Sequence, residues 1–385
     1  MIETRDKLFL ITTVARTLQF FSGQPRLWNN KFDVCAIASE EDDILVKFAK
    51  EESIRYKCVP MKREISLLSD IQCLCILLYL FIKERPKIVH ANTPKASVLS
   101  MLAAWLTCRP VRIYMCHGLR YETTTGVLLK VLKAMEWVAC HCATQVIGVS
   151  QGVVNQLVND GLCPKNKIKV VGYGTAGGID LTRFSRKSLT GEPQVRLELN
   201  IPNDAFVFSF VGRIVRDKGI NELVTAFNIL SQEYHYIHLL LIGPEEGESD
   251  LITSSTKEVI TNNNRIYLLG TKEDVRPFIA ISDAFVLPSY REGAGQVILE
   301  ANALDVPCIA TDVIGPRDII TPMVNGELVK PRSAEALYDM MRNWIENPDK
   351  VSKMAQSSRS FIKARYDQEK VKDTYYKEYC NLAGI

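Results

Sequence analysis

The sequence contains no apolar run long enough to cross a membrane. Its longest such stretch, Ile71–Ile82, has twelve residues, whereas a transmembrane helix needs about 20. We therefore expect a core helix or an interfacial helix there, in a chain that does not span a membrane. The opening segment "MIETRDKLFLITTV" does not have the order of a secretory signal peptide, because charged residues precede a strand-like run.

The 11 cysteines do not form the pattern of a disulfide framework. Most of them lie inside apolar runs, as Cys35, Cys73 and Cys308 do, where cysteine acts as a small buried hydrophobe. This usage predicts a reducing, cytoplasmic setting. The "CHC" segment at 140–142 has no second Cys/His pair at a suitable spacing, so it does not predict a metal site.

Motifs of several nucleotide-dependent enzymes are also missing. No G-x-G-x-x-G fingerprint follows the first predicted strand, which argues against an NAD-dependent dehydrogenase. The Walker pattern is absent. No Asp-x-Asp motif is present to hold Mg²⁺ between phosphates, and the acidic run Glu41–Asp43 is interpreted as a solvated loop. We predict an enzyme that needs neither a metal nor a cofactor.

The composition is that of a globular protein with two domains. The 385 residues are 47% hydrophobic and 24% charged, which is ordinary for folded chains and generous for a single core. Residues 1–180 carry 23 Lys and Arg against 16 Asp and Glu (+7), and the remainder carries 24 against 28 (−4). The basic half indicates either an anionic partner or an uneven scatter of solvated charges. No feature indicates nucleic acid.

Short apolar, β-branched runs alternate with helical segments along the chain. The alternation predicts βαβ units on parallel sheets. The predicted strands of the first half are "LFLITTV", "FDVCAIA", "IRYKCVP", "KIVHAN", "VRIYMCH", "ATQVIGVS" and "KIKVVG". Those of the second half are "AFVFSFVG", "HLLLIG", "RIYLLG", "AFVLPS", "PCIATD" and "GELVK".

The alternation pauses in a segment rich in Gly, Thr and Ser. We therefore predict two Rossmann-like, doubly wound α/β domains in series, with the ligand in the cleft between them. The predicted divisions are an N-terminal domain at 1–175, a linker at 176–202, a C-terminal domain at 203–365, and a C-terminal helix at 366–385 that packs back across the cleft.

Two segments of the second half carry chemistry. "FVGRIVRDKG" is a strand, a loop with Arg213 and Lys218, and a helix start, an arrangement suited to a diphosphate. "REGAGQVILEA" places Glu292 and Glu300 around a second helix start. Carboxylates accept hydrogen bonds from sugar and ribose hydroxyls, while the amides at the helix start suit phosphate or sugar oxygens.

Together with "PCIATDVIGPRDII" and "NGELVK", these segments resemble the nucleotide-sugar half of retaining glycosyltransferases of family 4, which have the GT-B fold. In the first half, "VHANTPKA", "YMCHGLRYETTTG" and "VIGVSQGV" resemble acceptor-domain segments of bacterial capsule and O-antigen members. "GYGTAGGIDLTRF" resembles their linker. The resemblance covers most of the chain and implies a UDP-sugar donor.

The resemblance also implies roles for individual residues. Arg213 and Lys218 hold the donor diphosphate, Glu292 faces the donor sugar, and Glu300 accepts from the ribose. His117 reaches the sugar from the N-terminal domain. The remaining positions are assigned as donor-binding (Gly270, Ala294, Gly295, Gln296 and Val297) and acceptor-binding (Thr13, Arg16, Lys95 and Arg120).

Three departures from the family pattern bear on these roles. Ala294 stands where relatives often have Phe or Leu, and Gly177 stands where the linker usually has Asn. The Gly-rich loop that often follows the first strand is absent, so the acceptor contacts near Thr12, Thr13 and Arg16 depend on other features.

The implied reaction retains the configuration at C1 of a hexose or N-acetylhexosamine. Its acceptor is lipid-linked or an oligosaccharide of surface polysaccharide synthesis, with a polyprenyl diphosphate as the expected carrier. The alternatives are a UDP-sugar 2-epimerase-like enzyme, for which the Arg-x4-Lys loop and the glutamate spacing are unfavourable, and a non-catalytic nucleotide-sugar-binding partner. The segment Val127–Cys140 is either an interfacial amphipathic helix or a core helix. The chain is expected to be cytoplasmic, and an interfacial helix would make it peripheral on the inner face of the cell membrane.

Overall fold

The chain folds into two compact units. A computed structural model describes residues 5–64, 66–189, 192–245 and 250–385. The first unit comprises the described residues of Met1–Gly178 together with Gln368–Ile385, and the second comprises those of Ile179–Asp367. No helix in the described ranges combines the length and the apolarity that crossing a bilayer requires.

The first unit is built on a parallel sheet with the strand order β3-β2-β1-β4-β5-β6-β7. Its strands are β1 (Asp6–Val14), β2 (Phe32–Ser39), β3 (Arg55–Cys58), β4 (Ile88–Asn92), β5 (Val111–Cys116), β6 (Gln145–Gly148) and β7 (Ile168–Val170). The central strands are buried almost throughout, because helices cover both faces of a doubly wound sheet. Such strands appear in the sequence as continuous apolar runs, and all seven predicted strands are confirmed.

Helices connect these strands. They are α1 (Gln24–Trp28), α2 (Ile44–Glu52), α3 (Leu67–Glu84), α4 (Pro94–Leu106), α5 (Gly126–Cys142) and α6 (Gln151–Asn159). Pro94 occupies the first turn of α4, where its fixed φ suits a helix start. The Ser150 side chain caps α6 by accepting a hydrogen bond from the Val153 amide.

The second unit has a parallel sheet with the strand order β10-β9-β8-β11-β12-β13. Its strands are β8 (Phe206–Val211), β9 (Ile237–Ile242), β10 (Ile266–Gly270), β11 (Ala284–Leu287), β12 (Cys308–Thr311) and β13 (Gly326–Val329). Its helices are α7 (Glu192–Glu198), α8 (Ile220–Glu233), α9 (Ser254–Asn262), α10 (Arg276–Ala280), α11 (Gln296–Ala303), α12 (Pro316–Ile319), α13 (Ala334–Glu346) and α14 (Pro348–Tyr366). All six strands predicted for this half are confirmed.

The segment predicted as a linker is divided between the units. Its first residues end the first unit at Gly178, and residues from Ile179 onward belong to the second. Ile179 is buried in the main core of the second unit, and Val195 on α7 and Ile201 pack in a smaller cluster there. The described residues of 179–202 are therefore part of a folded domain, because they contribute apolar side chains to its cores.

The C-terminal helix α15 (Gln368–Ala383) belongs to the first unit. The Tyr375 hydroxyl donates to the carbonyl of Thr175 at 2.9 Å. The Tyr379 hydroxyl lies 2.6 Å from His90 Nδ1, and its ring packs against Trp28 with the ring centroids 4.6 Å apart. The chain thus leaves the first unit at Gly178 and returns to it with its last helix.

Each sheet has one point at which the strand order reverses. In the first unit it lies between β1 and β4, and in the second between β8 and β11. Loops at the carboxyl ends of the two strands at such a point diverge to opposite faces of the sheet, which leaves a crevice for ligands. The residues that follow β1, β4, β8 and β11 are therefore the ones to consider as site residues.

Candidate active site

The loop after β8 carries the two predicted cations. It runs from Gly212 through Arg213 to a single 3-10 turn, Arg216–Lys218, and α8 begins two residues after Lys218. Gly219 joins the turn to the helix with φ of +72°, a left-handed conformation that favours glycine. A Cβ atom at Gly219 would lie 2.1 Å from the carbonyl oxygen of Pro288, so only glycine permits this loop to approach the one after β11.

Ionic and backbone contacts join the two loops. Lys218 Nζ lies 2.5 Å from Glu292 Oε1, and Arg291 Nε donates to Asp217 Oδ2 at 2.9 Å. The Tyr290 amide donates to the Asp217 carbonyl at 2.9 Å. The two segments predicted to carry chemistry, although 74 residues apart at the ion pair, therefore form one site at the switch point of the second sheet.

The loop after β11 leads into a helix whose first residues face this site. Gly295 has φ of +67° and immediately precedes Gln296, the first residue of α11. The first amides of an α-helix lack partners within the helix, so a helix start attracts anions and other acceptors. Gly315 packs closely against this loop, because a Cβ atom at Gly315 would lie 2.7 Å from the carbonyl oxygen of Gly293.

Glu300 lies one turn into α11, four residues after Gln296 and so on the same helical face. Burial raises the pKa of Glu300 to about 7, against the opposing effect of the Arg183 charge. Val297 packs against the main core of the unit, and Ala294 is partly buried. The helix therefore presents one carboxyl group that is poised to titrate near neutrality.

Gly270, also predicted to bind the donor, ends β10 at the same edge of the sheet. Its carbonyl oxygen accepts a hydrogen bond from the Gly243 amide at 2.9 Å. A Cβ atom at Gly243 would lie 1.9 Å from the carbonyl oxygen of Gly212. The backbone after β8, β9 and β10 is thus closely packed beside the cation loop, which brings Gly270 to the edge that carries Arg213.

In the first unit, the structure surrounds His117 with polar and aromatic partners. His117 follows β5, and its Nε2 lies 3.1 Å from Asn92 Oδ1 at the end of β4. The Phe20 ring stacks on the imidazole with the centroids 5.7 Å apart, and Phe21 meets it edge-on at 6.0 Å. Burial lowers the pKa of His117 to about 4, so the imidazole is neutral at pH 7.

Asn92 was not predicted, although its position at a strand end next to a switch point was a usable signal. Its Nδ2 donates to the Ile11 carbonyl at 3.4 Å, which directs Oδ1 toward His117. The acceptor oxygen requires a proton on His117 Nε2, so Nδ1 of the neutral ring is the acceptor.

The predicted acceptor residues of the first unit differ in their surroundings. Thr13 is buried at the switch point, with its hydroxyl 2.7 Å from that of Thr93. Arg16 and Arg120 are exposed. Lys95 is buried, lies 2.7 Å from Asp70 Oδ1 and also donates to the Glu64 carbonyl. These contacts of Lys95 join α4 to the start of α3, and its predicted contact with the acceptor stays a prediction.

The second unit thus holds a nucleotide-type switch-point site with cations, glutamates and a helix start, and the first unit is a second doubly wound domain. This combination is that of a glycosyltransferase with the GT-B fold. The chain belongs to the family 4 glycosyltransferases: residues 26–176 match the family described as Glycosyltransferase Family 4, and residues 192–361 match the one described as Glycosyl transferases group 1. The predicted family and fold are confirmed.

Relatives and solved structures agree with this assignment. The chain is 33% identical to a capsular polysaccharide biosynthesis glycosyltransferase, CapM, of Staphylococcus aureus, over 94% of both chains. It is 28% identical to an Escherichia coli UDP-Gal:alpha-D-GlcNAc-diphosphoundecaprenol alpha-1,3-galactosyltransferase, over 95% of this chain and 94% of the relative. Anabaena Alr3699/HepE, solved in complex with UDP-glucose, shares the fold with a TM-score of 0.79 at 19% identity, covering 97% of this chain and 99% of that one.

Proposed function

We propose that the chain transfers a hexose or N-acetylhexosamine, with retention of configuration, from a UDP-sugar to a lipid-linked or oligosaccharide acceptor in surface polysaccharide synthesis. The observation that carries the proposal is the contact between Lys218 and Glu292 at the switch point of the second sheet. In this proposal Lys218 binds the diphosphate and Glu292 binds the sugar, and their contact is what supports placing the two subsites side by side. A donor that carries both groups next to each other is a nucleotide diphosphate sugar.

The donor is held, in this proposal, by charge and by hydroxyl recognition. Arg213 binds the diphosphate bidentately, Lys218 binds it as a point charge, and the amides at the start of α11 complete the anion site. Glu300 accepts hydrogen bonds from the ribose hydroxyls and Glu292 from the sugar. Support for uridine as the base comes from the names of the Escherichia coli relative and of the UDP complexes of Anabaena HepE.

The chemical step is a same-face displacement. The bond from C1 of the sugar to the diphosphate oxygen breaks, and a bond from C1 to the acceptor oxygen forms on the same face. The acceptor proton passes to the departing phosphate oxygen. Arg213, Lys218 and the α11 amides stabilise the charge that develops on the diphosphate, and we propose that they do so without a metal ion.

The proposed acceptor is linked to a lipid. Support comes from the basic first half of the chain and from the Escherichia coli relative, whose acceptor is named as a diphosphoundecaprenol. We propose accordingly that the chain acts in the cytoplasm, peripherally at the inner face of the cell membrane. That His117 contacts the donor sugar, and that Thr13, Arg16, Lys95 and Arg120 contact the acceptor, remain predictions.

The first test is a thermal-shift panel of the purified chain with UDP, GDP, ADP and their common sugars, each with and without EDTA. A ligand at a hundredfold excess over its dissociation constant stabilises by about 2.7 kcal/mol. We expect stabilisation by uridine nucleotides alone, unaffected by EDTA and lost in Arg213→Ala. Loss of the shift in EDTA would contradict metal independence, and no response to any nucleotide would contradict the proposed donor site.

Transfer is then measured with the stabilising UDP-sugar and a diphosphate-linked acceptor analogue. NMR of the product assigns the configuration at C1, and inversion would overturn the proposed mechanism. Turnover of the UDP-sugar to its 2-epimer without any acceptor would instead favour the epimerase alternative.

A further inference from the structure

Three neighbouring helices cover one face of the first sheet. The connections β3 to β4, β4 to β5 and β5 to β6 all step in the same direction across it. Right-handed crossovers therefore place α3, α4 and α5 on the same face, and α4 packs against both of the others. We call the outer surface of these three helices the helical face.

The helical face concentrates the exposed apolar side chains of the molecule. Of the 22 large apolar side chains that are exposed among the described residues, 11 belong to α3, α4 and α5. These helices make up only 48 of the 385 residues. The 11 side chains are Leu67, Leu68, Ile71, Tyr79 and Ile82 on α3, Trp105 and Leu106 on α4, and Val127, Leu128, Val131 and Trp137 on α5.

The outer sides of α3 and α5 lack the polarity of ordinary surface helices. Leu68 is 86% exposed and Val127 is 78% exposed. On α3 the exposed polar side chains are Gln72 and Lys83, and on α5 they are Lys130 and His141, all within stretches that the structure describes in full. An apolar outer surface of this kind marks a site that binds a membrane or another protein.

The acidic groups of these helices are turned to internal partners. Asp70 pairs with Lys95 at 2.7 Å, Glu84 pairs with Lys7 at 2.7 Å, and the Tyr114 hydroxyl donates to Glu136 at 2.5 Å. Among the described side chains of α3–α5, the exposed Lys and Arg residues are Lys83 and Lys130, and no Asp or Glu is exposed. The flanking loops add exposed residues of both signs, namely Lys62, Arg63, Arg85 and Arg120 against Glu64 and Glu122.

We propose that the helical face binds the surface of a lipid bilayer that contains anionic lipids. Its apolar side chains enter the boundary between headgroups and acyl chains, and Trp137 and Tyr79 have the amphipathic rings that favour this depth. Lys83 and Lys130 extend toward the phosphates. A second copy of the chain fits less well, because two such faces would bring lysines of like charge together.

This surface extends the proposed function, since it would bring a lipid-linked acceptor to the chain. Both α3 and α5 begin after the carboxyl ends of strands, the edge of the first sheet at which His117 follows β5. Leu67, Leu68, Val127 and Leu128 lie in the first turns of these two helices. A bilayer on the helical face therefore lies next to the edge that carries His117.

The test is co-sedimentation of the full chain with vesicles of phosphatidylcholine alone or of phosphatidylcholine mixed with phosphatidylglycerol. We expect binding to the mixed vesicles, with a fall in affinity of at least about tenfold in Leu67→Ser/Leu68→Ser. Lys130→Glu should weaken binding to the mixed vesicles about tenfold and leave binding to neutral vesicles unchanged. The matched control is Leu197→Ser, which replaces a 72% exposed leucine of the second unit and should bind as the wild type does.

Two results would overturn the proposal. One is equal vesicle binding by the wild type, Leu67→Ser/Leu68→Ser and Leu197→Ser. The other is a dimer in sedimentation velocity that is lost only in Leu67→Ser/Leu68→Ser, which would assign the face to a second copy. A parallel assay with a water-soluble acceptor separates this question from the proposed function, because Leu67→Ser/Leu68→Ser should keep full transfer there.

Discussion

Lys218 and Glu292 form an ion pair at 2.5 Å, with both side chains largely buried. The pair joins the loop after β8 to the loop after β11 at the switch point of the second sheet. If each residue binds a different part of the donor, as we propose, the pair fixes the separation between the diphosphate and sugar subsites before the donor arrives. The contact is a pre-organised feature of the site.

The loss of Lys218 and the loss of Glu292 should affect UDP binding differently. Lys218→Ala removes a diphosphate cation, so we expect weaker UDP binding and a loss of roughly 10²–10³-fold in kcat/KM, the usual cost of losing a group that stabilises the leaving charge. Glu292→Gln breaks the ion pair but leaves the cation, so UDP binding should persist while transfer falls. Calorimetric titration with UDP and steady-state kinetics measure the two. Equal loss of UDP affinity in both variants would contradict separate subsites.

The pKa of Glu300 makes donor binding depend on pH. Burial raises this pKa to about 7, so the carboxyl group is mostly ionised at pH 8 and mostly protonated at pH 6. The ribose hydroxyls donate best to the ionised form, so affinity should fall about tenfold from pH 8 to pH 6. UDP-glucose is the suitable probe, because its diphosphate does not titrate in this range. Glu300→Gln should bind more weakly with a flat profile, and a wild type with a flat profile would exclude an ionised Glu300 as the ribose acceptor.

Asn92 is expected to set the proton position on His117. Asn92→Ala removes the acceptor from His117 Nε2, which should allow the other tautomer and lower kcat/KM without unfolding the domain. Nitrogen-15 NMR of the imidazole distinguishes the tautomers, and it should show Nε2–H in the wild type and a mixture in the variant. Phe20→Leu serves as a control that changes ring stacking but leaves the hydrogen bond. An unchanged tautomer in Asn92→Ala would contradict a positioning role.

The strands and the positions of the candidate donor residues in the fold could be predicted from the sequence, because both depend on local patterns. Buried parallel strands are short apolar runs, and Arg213, Lys218, Glu292 and Glu300 stand at strand ends or helix starts. The side-chain pairs could not be predicted, because they depend on strand order. For example, Lys95 pairs with Asp70, which lies 25 residues earlier in the chain.

The helical face shows a further limit of sequence patterns. The run Ile71–Ile82 was compatible with a core helix or an interfacial one, since apolar residues surround the helix on every side. Its buried side consists of Cys73, Leu77 and Phe81, and the remainder of its apolar surface is exposed or half-buried. Which side is covered is determined by tertiary packing, both against the sheet, where Phe81 meets Phe9 of β1, and against α4.

The C-terminal helix is expected to stabilise the first unit through Tyr379. Its ring is fully buried against Trp28, and its hydroxyl is the partner of His90 Nδ1 at 2.6 Å. Tyr379→Phe leaves His90 with an unpaired buried nitrogen, at a cost of about 1–3 kcal/mol, and Tyr379→Ala adds a cavity, for a total of about 3–5 kcal/mol. Thermal unfolding should show Tm falling in that order, with Tyr376→Phe, at a partly exposed position of the same helix, close to the wild type.

Donor binding at the second unit should be unchanged in Tyr379→Phe, since α15 belongs to the first unit. A Tm for Tyr379→Ala equal to that of the wild type would show that the helix docks without contributing to the stability of the domain.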